Sequence, residues 1–113
     1  MLSNRQLKVG EEVKRSLSQI IARDIYIDSL NGAYVTLSKV IMTADLGIAD
    51  VYILPMLDGA LSEQKIVDVM NQMAPKIRHI LAKKVFLKKL PKLRFQIDKS
   101  FDEAARIESL LKR

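Results

Sequence analysis

The side chains best placed to do chemistry in these 113 residues are basic, and they are unevenly spread. Nineteen Lys and Arg against thirteen Asp and Glu leave a net charge of +6. Between Asp68 and Asp98 there is no acidic residue, whereas Lys76, Arg78, Lys83, Lys84, Lys88, Lys89, Lys92 and Arg94 supply eight positive charges. The remainder of the chain therefore carries a net −2, the difference between +6 and +8. A weaker cluster lies near the N-terminus at Arg5, Lys8, Lys14, Arg15 and Arg23. Such a surplus attracts polyanions, with an affinity that falls steeply as salt rises. Scattered solubilising lysines seldom leave so long an acid-free run in a chain with thirteen acids. The candidate polyanion-binding residues are Lys76, Arg78, Lys83, Lys84, Lys88, Lys89 and Arg94, joined by Arg5, Lys8 and Arg15. Lys76 and Lys83 recur at helical spacing, suited to tracking a phosphate backbone. The fork of Arg78 can bond two phosphate oxygens, or pair with a nearby carboxylate. Of Lys88, Lys89, Lys92 and Arg94, one or two are expected to cap a helix end or flank a strand edge instead.

Other chemistries find little to work with. Cysteine is absent, which removes disulfides, thiolate metal sites and a thiol nucleophile together. His79 is the only histidine; between lysines and without a partner at ligand spacing, it reads as a surface residue. Asp45 and Asp98 read as turn and cap residues rather than as a catalytic pair. Tyr26, Tyr34 and Tyr52 could stack on bases, but aromatics are 5% of the chain and are not expected to interleave with the basic run. There is no Walker loop, dinucleotide fingerprint or nucleophile triad, so neither a cofactor, a metal nor a catalytic residue is expected.

The elements that must position these charges follow from periodicity. Val13, Leu17, Ile20 and Ile21 form one apolar stripe, predicting a helix over 6–24 whose first turns Gly10 should weaken. Asp28-Ser29-Leu30-Asn31-Gly32 is a loop signal. Two strands follow over 33–42 and 48–54, and the five residues between them are too few for anything but an antiparallel hairpin. Alternation in the first strand is imperfect, which a bulge or a partly covered second face would explain. Pro55 ends the second strand or sits at an edge. After a turn at Asp58-Gly59-Ala60, Ser62 caps a helix to Met73. Pro75 should break it, with a second helix resuming to about Lys84 and turning Ile77, Leu81 and Val85 inward. Leu93, Phe95 and Ile97 alternate as a third strand over 93–98. Ser100 and Glu103 fit a capping box for a last helix, whose apolar contacts would be Ile107, Leu110 and Leu111.

This order predicts a single α+β domain over 1–113, with a three-stranded sheet, helices packed on one face and a kinked helix pair. It is the KH-like order of the bacterial (type II) variant; a ferredoxin-like split βαβ is second, because it wants a strand before the first helix. The usual KH clamp on single-stranded RNA is a Gly-x-x-Gly loop between the paired helices. Gly10, Gly32, Gly47 and Gly59 all lie elsewhere, so any RNA contact must come from the charged helix and its flanks. No apolar run reaches the ~20 residues of a membrane span, and Met1-Leu2-Ser3-Asn4-Arg5 opens no secretory signal, so a cytoplasmic location is expected.

The chain resembles the bacterial ribosome-binding factor A family over nearly its whole length. The resemblance rests on Val35-Thr36-Leu37-Ser38-Lys39-Val40, on Asp45 with Ala49-Asp50-Val51-Tyr52-Ile53, and on Ile77-Arg78 followed by Leu81 and Ala82. It extends through Leu90-Pro91-Lys92-Leu93-Arg94-Phe95 to Asp98-Lys99-Ser100. Met73-Ala74-Pro75 departs from the family's Ala-x-Gly at the interhelical kink. The resemblance implies a non-enzymatic assembly factor that binds the free 30S ribosomal subunit. It also implies contact with 16S rRNA around its 5′-terminal helix region, and a role in late maturation and 5′-end processing. A small basic domain without heptads is expected to be a monomer. Two other classes stay open. One is a generic basic RNA-binding or protein–protein module, docking through the sheet edge or the last helix; the other, with no acid–base pair in view, is an RNA hydrolase.

Overall fold

The computed structural model describes residues 1–24, 34–56 and 61–111. The loop expected at 28–32 and the turn at 58–60 lie outside the described residues. Helix α1 (Asn4–Gln19) starts earlier than its apolar stripe suggested, and a π-helical turn (Ile20–Asp24) continues it. Ser3 accounts for the early start: its hydroxyl accepts from the Gln6 N–H at 3.1 Å, and the Gln6 side chain returns the bond to the Ser3 N–H at 2.9 Å. This reciprocal box satisfies two N–H groups that a helix start leaves unpaired.

Gly10, expected to weaken this helix, sits buried inside it. A methyl group there would come within 2.9 Å of the Val40 carbonyl oxygen. The glycine lets α1 lie directly on the backbone of strand β1 (Tyr34–Met42), so its helix-propensity cost is offset by close packing.

Strands β1 and β2 (Ile48–Met56) form the antiparallel hairpin, and strand β3 (Lys92–Ile97) adds in parallel beside β2, giving the order β1-β2-β3. The irregular alternation of β1 is a bulge. Leu37 pairs with Ile53 and Lys39 with Tyr52, leaving Ser38 as the extra residue. Pro55 pairs with Val35 beyond the last β3 partner, Ile53, so β2 has one neighbour there.

Helix α2 (Glu63–Ala82) runs unbroken through Pro75, which corrects the expected end at Met73 and restart at Pro75. Pro75 has no N–H to give to the Asn71 carbonyl, but one missing bond in a 20-residue helix is tolerable when a full apolar stripe is buried. That stripe contains Ile66, Met70, Ile77 and Leu81, each with no exposed surface. They meet Val13, Leu17 and Ile20 from the N-terminal helix, and Val51, Ile53 and Phe95 from the sheet, in one core. α1 lies over β1 and α2 over β3, which leaves the opposite sheet face open to Asp50, Tyr52 and Arg94.

The Asn71 side chain docks α2 onto the free edge of β3. Its amide nitrogen donates to the Phe95 carbonyl at 3.1 Å, and its oxygen accepts from the Phe95 N–H at 2.8 Å. Helix α3 (Ser100–Leu111) begins where Asp98 accepts from the Ser100 N–H at 2.8 Å. The residues expected to make its apolar contacts stay in solvent: Ile107, Leu110 and Leu111 are 55%, 54% and 80% exposed. The Glu103 side chain of the expected capping box lies outside the described residues.

Candidate nucleic-acid interface

The turn joining β1 to β2 organises one end of the sheet. Leu46 takes a φ of +60° there, tolerated because its side chain is buried in the core. Asp45 closes the turn by accepting from the Thr43 hydroxyl at 2.7 Å and the Gly47 N–H at 2.9 Å. Those hydrogen bonds, aided by Lys89, hold the Asp45 carboxyl below its ordinary range. The Gly47 carbonyl accepts from the Lys92 N–H at 2.9 Å, and the Met42 carbonyl from the Gln6 side chain at 3.0 Å. The start of α1, the hairpin turn and the segment leaving α2 are thereby tied to the same end.

This end gathers most of the nominated cations. Arg5 and Lys8 project from the first turns of α1, and Lys83, Lys84, Lys88 and Lys89 from the end of α2 and the segment beyond it; all six are exposed. Two clusters some 75 residues apart in sequence therefore lie at the same end of the sheet. Lys89 lies 3.9 Å from Asp45, a solvent-exposed pair of small energetic weight. Lys76 is exposed about two turns back along α2, with His79 exposed between it and Lys83. Arg15 is exposed further along α1.

Two nominated arginines have other work. Arg78 is half-buried, with Nε donating to the Pro91 carbonyl at 3.0 Å and Nη2 to the Leu90 carbonyl at 2.9 Å. Neither of the partners weighed from sequence, a phosphate or a carboxylate, is needed to explain it. The guanidinium clamps the approach to β3 onto α2. Arg94 points to the open sheet face and forks onto Asp50, with Nε 2.5 Å from Oδ1 and Nη2 3.0 Å from Oδ2. That carboxylate raises the pKa of Arg94 and neutralises its charge locally. On the same face the Lys39 ammonium lies 4.6 Å from the centroid of the half-buried Tyr52 ring. Tyr26 and the Tyr34 side chain lie outside the described residues.

At the opposite end, Asp98 is buried and acts as the cap expected of it. The Ser100 hydroxyl, the Ser38 hydroxyl (2.5 Å from Oδ2) and the Ser100 N–H bring its carboxyl down to about 2. The bulge in β1 is what aims Ser38 at it. Among the described residues no group of three metal-ligating side chains occurs.

Sequence reasoning missed Phe86. It was hidden in an apparently apolar Val85-Phe86-Leu87 run, yet its side chain is fully exposed, at 102%, between Lys84 and Lys88. An aromatic does interleave with the basic run, contrary to expectation.

A helix, an antiparallel hairpin, a long helix and a strand returning parallel to the hairpin define a KH-like α+β protein of the bacterial type, here with one strongly basic end. The chain belongs to the ribosome-binding factor A family, whose sequence profile matches residues 5–111. It is 38% identical over 111 residues to the ribosome-binding factor A of Zymomonas mobilis, covering 97% of this chain and 77% of that one. The crystal structure of ribosome-binding factor A from Thermus thermophilus superposes with a TM-score of 0.71 at 19% identity, covering 84% of this chain and 97% of that one. A homology model of the Thermus thermophilus factor, as fitted into a cryo-electron-microscopy map of a 30S complex, gives 0.63 at 20% identity, covering 80% and 91%. These structures share the fold.

Proposed function

We propose that this protein is a non-enzymatic assembly factor that binds the free 30S ribosomal subunit through its basic end, as a monomer in the cytoplasm. In this reading all of residues 1–113 form one ribosome-binding domain, which contacts 16S rRNA around its 5′-terminal helix region and supports late maturation and 5′-end processing. The observation that carries the reading is the convergence of Arg5 and Lys8 with Lys83, Lys88 and Lys89 around the hairpin turn. Family membership and the 30S complex of the Thermus factor support it. Phosphate contacts position a protein on RNA without requiring a catalytic group, and lysines on rigid helix ends suit that task.

Co-sedimentation with purified 30S subunits, 50S subunits and 70S ribosomes at low and moderate salt tests the proposal. Salt-sensitive pelleting with 30S alone is the expected result. Equal binding to every particle would reduce the protein to a generic basic RNA binder. The exposed stripe of α3 favours a second reading, a protein–protein module. Binding that survives high salt and nuclease would select it, because phosphate contacts are screened.

A further inference from the structure

We infer that Phe86 is a nucleobase-stacking anchor, which gives the basic end a preference for unpaired RNA over duplex. The inference rests on the proposed RNA-binding role of that end, and adds which form of RNA it takes.

A lone exposed apolar side chain is ordinary on a protein surface. Phe86 differs in how it is held. Its neighbours Val85 and Leu87 are buried and half-buried against the core, so the chain is fastened on both sides of the ring. The Val85 N–H donates to the Leu81 carbonyl at 3.1 Å, which fixes the segment to the last turn of α2. Four residues beyond Phe86, Arg78 grips the Leu90 and Pro91 carbonyls, and the Lys92 N–H is bonded to Gly47. The ring is thus presented to solvent from a segment anchored at both ends, with little backbone ordering entropy left to lose on contact.

Its surroundings define the partner. Lys83 and Lys84 precede it and Lys88 and Lys89 follow it, all exposed. A phenyl ring among ammonium groups matches the two chemistries of an unpaired nucleotide, a base with a bare π-face and a phosphate on either side. A duplex offers the phosphates but keeps its bases stacked. An apolar protein groove would desolvate these ammonium groups and offer them no counter-charge of its own.

The test compares wild-type protein with Phe86→Ala, Phe86→Leu and Phe86→Trp. Binding is measured to 30S subunits, to a single-stranded oligoribonucleotide of about ten nucleotides and to a duplex of the same length, across a salt series. Because the ring buries nothing, all variants should melt with the wild type. Phe86→Ala should lose about tenfold in affinity for the single strand and nothing for the duplex. The slope of log affinity against log salt should not change, since no phosphate contact is lost. Phe86→Leu should match Phe86→Ala. Phe86→Trp should retain binding, and as the only tryptophan in the chain its fluorescence should be quenched by the single strand. Phe86→Ala with wild-type affinity, or Phe86→Leu with full affinity, would overturn stacking while leaving the basic end as the RNA site. Fluorescence of the Phe86→Trp variant that responds to anionic phospholipid vesicles and not to RNA would assign the ring to a membrane surface instead. Wild-type protein that binds neither RNA nor 30S would overturn the proposed function and this inference together.

Discussion

Two buried or half-buried charges show how a residue's role depends on what surrounds it. Arg78 stands in the acid-free run, where its fork suits a phosphate or a carboxylate equally. Its two bonds to the carbonyls of Leu90 and Pro91 make it a structural clamp. Arg78→Ala should therefore lower unfolding stability by about 1.5–3 kcal/mol, the range for hydrogen bonds to a charged group. Lys83→Glu should stay within about 0.5 kcal/mol of wild type in the same urea titration, as surface substitutions usually do. Asp98 predicts an acid dependence. Hydrogen bonds from Ser100 and Ser38 favour its carboxylate in the folded protein, which lowers the pKa to about 2 from an ordinary value of 3.8. The resulting stabilisation is complete above the ordinary value and is lost as pH falls through about 4 to 2. Asp98→Asn should be less stable than wild type at pH 7, with the difference shrinking at pH 2 to 3 in thermal unfolding. That Asp98 caps the last helix could be read from its place before Ser100. That a serine 60 residues earlier bonds to it could not, because only the bulge brings Ser38 there.

At the scale of elements, the sequence was most legible where one face is buried. The stripes of α1 and α2 and the alternation of β3 located those elements, since burial imposes a period on every apolar residue. Local signals misled where a distant contact outweighed them. Gly10 and Pro75 are both helix-weakening residues, and both sit inside intact helices. Pro75 is carried by the buried stripe around it, whereas Gly10 is required by the backbone it touches. Gly10→Ala gains helix propensity but drives a methyl group into the Val40 carbonyl. The expected net effect is a loss of about 1–3 kcal/mol by chemical denaturation, the range for overpacking. The last helix is the reverse case, amphipathic in sequence yet with its leucines in solvent. A periodic stripe states that a face is suited to burial and is silent on what buries it.

For the whole molecule, net charge and the acid-free run were legible by counting, and they foresaw a basic surface. The joining of two clusters was not, because it depends on Gln6 reaching Met42 and on Lys92 pairing with Gly47. Lys83→Ala with Lys89→Ala should weaken 30S binding and reduce the slope of log affinity against log salt by about 2, one for each phosphate contact removed. An unchanged slope would place the contacts elsewhere. The Asn71 bridge has a consequence for assembly with other chains. In β3, the N–H groups of Lys92 and Asp98 are directed to the hairpin, so those of Leu93, Phe95 and Ile97 face away from it. That outward row is where an intruding strand would have to pair, and the Asn71 side chain already occupies its centre with both bonds such a strand would use. The protein carries its own chain terminator for sheet growth. In deuterium exchange the Phe95 amide should accordingly be slower than those of Leu93 and Ile97, and Asn71→Ala should erase the difference and leave an edge open to templated aggregation.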